Sequence, residues 1–199
     1  MGHHIEDTLM TIENAIKLIH SVSDAWVRLE QTRRIPGGLE LCFGIYGGKR
    51  GTKTDSWTVS CLGVREARIT ALDGGGLRLY PGTHPAALRY SARRAELRWS
   101  GIRDKAAVIG ALYQKHIAAT DDWLPFDEVV SVESISENRF SCRGPDFLMR
   151  AYAKAFRAKG DRVQLINTRR SQAKSVRLKV LHFGESYVVA AAFTAQHQT

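Results

Sequence analysis

Hydrophobic and polar residues alternate along much of the chain between Ala25 and Trp99, and this period of two constrains the fold more than any other feature. Leu39, Leu41 and Phe43, for example, take every second position of one such run. Because successive side chains of a strand point to opposite faces, the alternation predicts strands with one buried face. Glycine-rich segments between the runs favour tight turns. The pattern predicts an antiparallel β-meander with strands near residues 25–33, 38–46, 56–62, 67–72, 76–80 and 95–99.

Three other stretches have the spacing of helices. Apolar residues at positions 5, 9, 12, 16 and 19 form one stripe and predict a helix from about Asp7 to Val22. A second helix is expected from about Arg103 to Ala119, and a third opens at Gly144-Pro145-Asp146 and ends at Gly160. The chain then returns to strands near residues 161–168, 176–183 and 187–195.

These elements predict an α+β fold. We expect an N-terminal helix packed on the antiparallel meander, two further helices and a C-terminal three-stranded antiparallel sheet. With 199 residues and 44% hydrophobic content, the chain can bury one sizeable core. A single domain spanning residues 1–199 is therefore expected, with a possible subdomain boundary near residues 120–140.

Charge is distributed unevenly along the chain. The segment from Asp121 to Asn138 contains six carboxylates and no Lys or Arg, namely Asp121, Asp122, Asp127, Glu128, Glu133 and Glu137. The whole chain has 29 Lys and Arg and 20 acidic residues. All 29 basic residues and the other 14 acidic residues lie outside this segment. This asymmetry indicates either that the acidic segment folds onto a basic surface of the same molecule or that it forms a separate site for a cation or a basic partner.

One set of residues has the chemistry of a small catalytic site. His116 shares a predicted helix face with Leu112 and precedes Asp121 and Asp122 by only five and six residues. An imidazole and a carboxylate pair could converge there as general acid and base, with His84 as a further candidate. The alternative is a structural histidine at the core edge and a surface His84 in a turn before Pro85.

A second set of residues forms a candidate binding surface. The alternation that buries the apolar residues would expose Arg28, Arg68, Arg78 and Arg98 together with Tyr46 and Tyr80. Arginine and tyrosine on an open sheet can bind single-stranded nucleic acid, although Glu30, Glu40 and Glu96 on the same face could instead pair with these arginines. Arg150, Lys154 and Arg157 add a basic stripe on the third helix.

The sequence indicates no cofactor and no metal site. Cys42, Cys61 and Cys142 lie far apart without metal-binding spacing, and the carboxylate spacing matches no EF-hand loop. No apolar stretch is long enough to cross a bilayer, so a cytoplasmic location is expected.

The function favoured by these patterns is a non-enzymatic intracellular interaction protein with a basic surface that engages an acidic partner. A protein partner is slightly favoured over nucleic acid, because glutamates interrupt the basic charge and no nucleic-acid recognition motif is present. The alternative is a small hydrolase-like or isomerase-like enzyme that uses His116 with Asp121 and Asp122. The oligomeric state is left open.

Overall fold

The computed structural model describes residues 9–22, 24–47, 51–70, 72–90, 93–101, 104–135, 139–157, 162–167 and 177–198. Its α-helices and strands follow in the order β1 (Leu9–Thr11), α1 (Ile12–Ser21), β2 (Trp26–Ile35), β3 (Gly38–Gly47), β4 (Thr52–Leu62), β5 (Glu66–Arg68), β6 (Asp73–Gly74), β7 (Leu77–Tyr80), α2 (Pro85–Leu88), β8 (Arg94–Ser100), α3 (Lys105–Thr120), β9 (Arg139–Pro145), α4 (Asp146–Arg157), β10 (Val163–Asn167), β11 (Lys179–Phe183), β12 (Ser186–Ala190) and β13 (Ala192–Gln198). Two short 3-10 helices, Phe126–Glu128 and Val132–Ser134, lie between α3 and β9. The strands form antiparallel sheets, and the predicted α+β class is confirmed.

The chain divides into two compact units, each with its own hydrophobic core. Unit 1 comprises Met1–His84 together with Val176–Thr199, and unit 2 comprises Pro85–Ser175. Unit 2 is thus one continuous segment between the two segments of unit 1. The region near residues 120–140, where the sequence suggested a boundary, lies inside unit 2.

Unit 1 contains a six-stranded sheet with the order β1-β13-β4-β3-β2-β6 and a four-stranded sheet with the order β5-β12-β11-β7. Strands β2, β3 and β4 pair consecutively, as a meander requires. Helix α1 buries Ile12, Ala15 and Ile19, and the side chain of Thr11 caps it by accepting a hydrogen bond from the backbone N–H of Asn14. The helix begins later than the predicted Asp7, because residues 9–11 pair with β13 as strand β1.

Unit 2 packs helices on a three-stranded sheet with the order β10-β8-β9. Strand β8 was expected to belong to the meander, but both of its edges are occupied by β9 and β10. Strand β9 was not predicted, although its burial alternates regularly from Arg139 to Cys142. Helix α3 begins after Asp104, whose side chain accepts a hydrogen bond from the Ala107 N–H, and ends at Asp121 in the left-handed conformation.

The acidic segment is anchored in unit 2 by its apolar residues. Leu124, Val130 and Ile135 are almost fully buried and belong to the core of this unit. Glu128 forms an ion pair with Arg89, so at least this carboxylate contacts a basic side chain of the same unit. Glu133 is exposed, and Glu137 lies outside the described residues.

None of the helices in the described part of the chain is long and apolar enough to cross a membrane.

Candidate functional site

An open groove of about 950 Å³ lies at one end of the three-stranded sheet of unit 2. Its charged lining consists of Arg98, Arg139, Arg157, Arg162 and Glu96. These residues come from the end of β8, the start of β9, the last turn of α4 and the position before β10. Because β8 runs antiparallel to both of its neighbours, the end of β8 and the starts of β9 and β10 meet at the same end of the sheet.

The strand register places the groove residues in adjacent rows. Arg98 pairs with Ser141 of β9 on one side and with Gln164 of β10 on the other. One residue further along β8, Trp99 pairs with Phe140 and Val163, and Ser100 then pairs with Arg139. Hydrogen-bonding side chains therefore stand beside the arginines in the lining.

Glu96 is the one carboxylate of this lining. Its side chain is only 8% exposed, although it lies on the solvent side of β8 between Arg98 and Arg143. Arg98 Nε donates to Glu96 Oε1, and Arg143 Nη2 lies 2.7 Å from Glu96 Oε2. These hydrogen bonds hold the pKa of Glu96 below its ordinary value, with Arg98 as the larger cause. The charge of Glu96 is therefore already matched by these two arginines.

Arg157 and Arg162 supply charge that no described carboxylate offsets. Both side chains are exposed and line the groove. Within the described part of the chain, neither has a carboxylate within ion-pair distance. Arg157 lies in the last turn of α4, where the helix dipole favours a cation. With Arg139 beside them, these arginines make the groove suited to an anion.

The aromatic lining of the groove is buried. Trp99 is 6% exposed and Phe140 is 2% exposed. The Trp99 ring lies against Phe156 of α4, with 3.9 Å between ring centroids. The Trp99 Nε1–H is buried and has no hydrogen-bond acceptor among the described residues. The rings thus support the floor of the groove from the core and do not offer an open face to a ligand.

The structure places His116 inside the core of unit 2. Its side chain is fully buried, and Tyr152 and Leu124 occupy its two ring nitrogens. Since the Leu124 carbonyl oxygen can only accept, Nε2 carries the proton, and the Tyr152 hydroxyl donates to Nδ1 at 2.7 Å. The catalytic hypothesis required solvent access at this imidazole, which the fold does not provide.

The other candidate catalytic residues lie elsewhere. Asp121 and Asp122 are exposed at the end of α3, both with positive φ angles. His84 belongs to unit 1, where its ring lies 4.7 Å from that of Tyr80. His84 and His116 are therefore parts of different units.

The predicted arginine and tyrosine surface is divided among three sheets. Arg28 and Tyr46 lie in the six-stranded sheet, and Arg68, Arg78 and Tyr80 lie in the four-stranded sheet. Arg98 lies in the sheet of unit 2. This separation follows from strand pairing, because the runs that the sequence placed in one meander join different sheets.

Tyr46 is also engaged within unit 1. Its hydroxyl donates to Glu30 Oε1 at 2.6 Å, and its ring stacks on Trp26 with 4.6 Å between centroids. Lys53 Nζ lies 2.7 Å from the other oxygen of Glu30. Of the arginines that the sequence placed beside Glu30, Glu40 and Glu96, Arg98 forms an ion pair with Glu96. Glu30 and Glu40 form ion pairs with cations outside that predicted set, Lys53 and Arg33.

The basic stripe of α4 separates into residues with different surroundings. Arg150 pairs with Asp146 one turn earlier, with 2.8 Å between Nε and Oδ2. Lys154 is exposed but is not part of the groove lining, whereas Arg157 is. Arg98 and Arg157 are therefore the predicted binding residues that line the groove.

Sequence reasoning missed Arg139, Arg162, Ser141 and Gln164. A signal for β9 was present, since Arg139 and Ser141 alternate with Phe140 and Cys142. The preceding acidic segment and the following Gly144-Pro145 favour a loop that runs into a helix, and this competing pattern masks the strand. The grouping with Arg157 carries no local sequence signal.

Among the described residues, no three His, Cys, Asp or Glu side chains are grouped so that they could hold a metal ion. Comparisons of the chain with protein-family models, with curated proteins and with solved structures find no match.

Proposed function

We propose that the protein is a non-enzymatic interaction protein that binds an acidic partner in the groove of unit 2. The observation that carries this proposal is the lining of four arginines against one carboxylate, Glu96. Arg98 and Arg143 already neutralise that carboxylate, and no described carboxylate pairs with Arg157 or Arg162, which supports a role for these two arginines in binding a ligand. Guanidinium groups bind carboxylate and phosphate oxygens by paired hydrogen bonds.

The charge of the groove is compatible with an acidic protein or with nucleic acid. The glutamates on the strands slightly favour a protein by limiting the positive potential, whereas the groove itself is suited to either anion. A cytoplasmic location is a further prediction of the sequence. The enzyme alternative gains no support from the described residues, since the surroundings of His116 are those of a structural residue.

A pair of matched double variants tests this proposal. Arg157→Gln/Arg162→Gln removes two cations from the groove, and Lys115→Gln/Lys154→Gln removes two exposed cations of unit 2 that do not line it. Affinity for fluorescently labelled heparin, a polyanion without a specific sequence, is measured by anisotropy at fixed salt. The groove variant is expected to lose at least about tenfold in affinity, since two anion contacts at about 1 kcal/mol each exceed this factor.

The control variant should also lose affinity for heparin, because it changes the overall charge. The logarithm of its loss in affinity is expected to be less than half of that of the groove variant. Equal losses in the two variants would show that the polyanion responds to net charge alone. The groove would then have no binding role, and the proposal would fail.

A further inference from the structure

We infer that the acidic partner is a second copy of this chain, whose acidic segment docks in the groove of unit 2. This inference rests on the proposed function, because it identifies the ligand of the same groove. Three observations carry it, namely the unpaired charge of the segment, its fixed position outside the groove of its own chain, and the exposed apolar side chains beside it.

Most carboxylates of the acidic segment have no cation in their own chain. Of the five that the structure describes, Glu128 pairs with Arg89. The other four are exposed and have no ion-pair partner among the described residues, namely Asp121, Asp122, Asp127 and Glu133. The groove has the opposite imbalance, because no described carboxylate pairs with Arg157 or Arg162. Each surface therefore carries charge that the other can neutralise.

The acidic segment is held outside the groove of its own chain. Leu124, Val130 and Ile135 anchor it in the core of unit 2. None of its described residues lines the groove. Moving the segment into that groove would take these three side chains out of the core and expose them to water. Its unpaired carboxylates therefore reach such a groove on a second copy of the chain.

Exposed apolar side chains lie at the acidic segment. Among the described residues of unit 2, the exposed large hydrophobic side chains are Tyr113, at 50%, and Val132, at 42%. Val132 belongs to the segment, and the Tyr113 ring meets that of Phe126 edge to face with 5.5 Å between centroids. Tyrosine and arginine are enriched at protein interfaces, where guanidinium groups stack on aromatic rings and pair with carboxylates. A second copy covers this surface as well as the groove, whereas nucleic acid in the groove would leave it exposed.

Charge reversal on each side of the contact tests this inference, with sedimentation equilibrium of the full-length chain as the measurement. The groove variant is Arg157→Glu/Arg162→Glu, and the segment variant is Asp127→Lys/Glu133→Lys, all at exposed positions. The wild type should self-associate, and each variant alone should associate at least about tenfold more weakly, because like charges then face each other. An equal mixture of the two variants should restore association, since the acidic groove of one variant matches the basic segment of the other.

Lys105→Glu/Lys154→Glu is the matched control for the groove variant. It reverses the same number of exposed cations in unit 2, and neither lysine lines the groove. Its association constant should stay within about threefold of the wild-type value at the same salt concentration, because charges outside a contact contribute little to it. Thermal melts check that each variant keeps its fold, and restored association in the mixture provides the same check, since an unfolded variant could not supply a groove or a segment.

The outcomes separate this inference from the proposed function. A wild-type chain that stays monomeric at about 100 μM in low salt would overturn the second copy as the partner. The proposed function would stand in that case if Arg157→Gln/Arg162→Gln still lost its affinity for heparin, and the ligand would be another acidic protein or nucleic acid. Association that both charge-reversed variants retain, or that their mixture fails to restore, would also overturn the inference. A monomeric wild type together with equal heparin losses in the groove and control variants would overturn both proposals.

Discussion

Single residues in this protein show how surroundings decide between two roles for the same side chain. His116 has the sequence context of a catalytic histidine, close to two carboxylates. In the structure its ring nitrogens are bonded to Tyr152 and Leu124, and burial raises the pKa of Tyr152 far above its ordinary value. The Tyr152 hydroxyl is therefore a stable donor to Nδ1, and the three residues form a buried polar link between α3, α4 and the acidic segment.

Glu96 provides a prediction at the scale of one residue. Glu96→Gln keeps the shape of the side chain but removes the charge that Arg98 and Arg143 neutralise. Charge-assisted hydrogen bonds contribute about 1.5–3 kcal/mol, and the exposure of the two arginines reduces this by solvent screening. We expect the free energy of unfolding to fall by about 1–2 kcal/mol at pH 7, as measured by urea denaturation.

The effect of Glu96→Gln should depend on pH. The folded-state pKa of Glu96 is lowered, so its stabilising contribution is present above the unfolded pKa of about 4.3 and is lost as the pH falls through the folded value. The difference between the wild type and Glu96→Gln should therefore shrink below about pH 4. A difference of the same size at pH 7 and pH 3.5 would contradict the role of the charge.

At the scale of elements, local periodicity predicted strand and helix positions better than their partners. The predicted strand near 95–99 lies within β8, and the predicted helix near 103–119 differs from α3 by one or two residues at each end. Helix α1 begins at Ile12, five residues after the predicted Asp7, because residues 9–11 pair with β13. Leu9 is 66% exposed in this strand, which shows that an apolar residue in a helical stripe need not be buried.

Helix α3 provides a prediction at this scale. Gly110 lies within the helix and is exposed, and a Cβ added there would have nothing within 4 Å. Gly110→Ala should therefore raise the free energy of unfolding by about 0.5–1 kcal/mol, because alanine loses less backbone entropy on folding into a helix.

Gly101→Ala is the matched control for this substitution. The position is equally open, but its φ of +86° is one that alanine rarely adopts. It should lower the free energy of unfolding by about 1–2 kcal/mol. Urea denaturation measures both variants, and a destabilising Gly110→Ala would show that the helix has a requirement for glycine that its local geometry does not explain.

At the scale of the whole molecule, the chain forms two units with separate cores, and the sequence of unit 1 is interrupted by that of unit 2. Unit 1 is completed only when the strands after residue 176 join those before residue 84. Cys61 lies in the core of unit 1 and Cys142 in the core of unit 2. Burial raises the pKa of each thiol to about 12, so each cysteine reports the opening of its own unit.

Thiol labelling tests whether the two units unfold as the single domain expected from composition. At pH 8 a thiol with a pKa of 12 is ionised to about one part in 10⁴, so Cys61 and Cys142 should resist iodoacetamide until their units open. Tyr152→Phe removes the donor to His116 and should cost unit 2 about 1–3 kcal/mol. Cys142 labelling, followed by mass spectrometry, should then accelerate by roughly 5- to 150-fold.

Cys61 labelling should accelerate much less if the units open independently. Equal acceleration at both cysteines would show that the chain unfolds as one domain.

The two buried thiols also predict a dependence of stability on pH. In the unfolded chain they ionise near pH 8.5, whereas burial in the folded protein raises the pKa of each to about 12. The free energy of unfolding should therefore fall as the pH rises above 8.5.

The sequence by itself determined the α+β class and the positions of most strands. Each depends on residues close together in the chain, as when Leu39, Leu41 and Phe43 take every second position and predict the strand found as β3. Period and composition are local properties, so they can be recognised without knowing what an element packs against.

Tertiary structure alone decided which strands pair and which cations share a surface. The sequence placed Arg98 with Arg28, Arg68 and Arg78, but β8 pairs with β9 and β10 instead. That pairing brings Arg98 beside Arg139, Arg157 and Arg162, up to 64 positions away in the chain. A groove of this kind has no local signature, because it is created by the non-local hydrogen bonds and core packing that join distant segments at one end of a sheet.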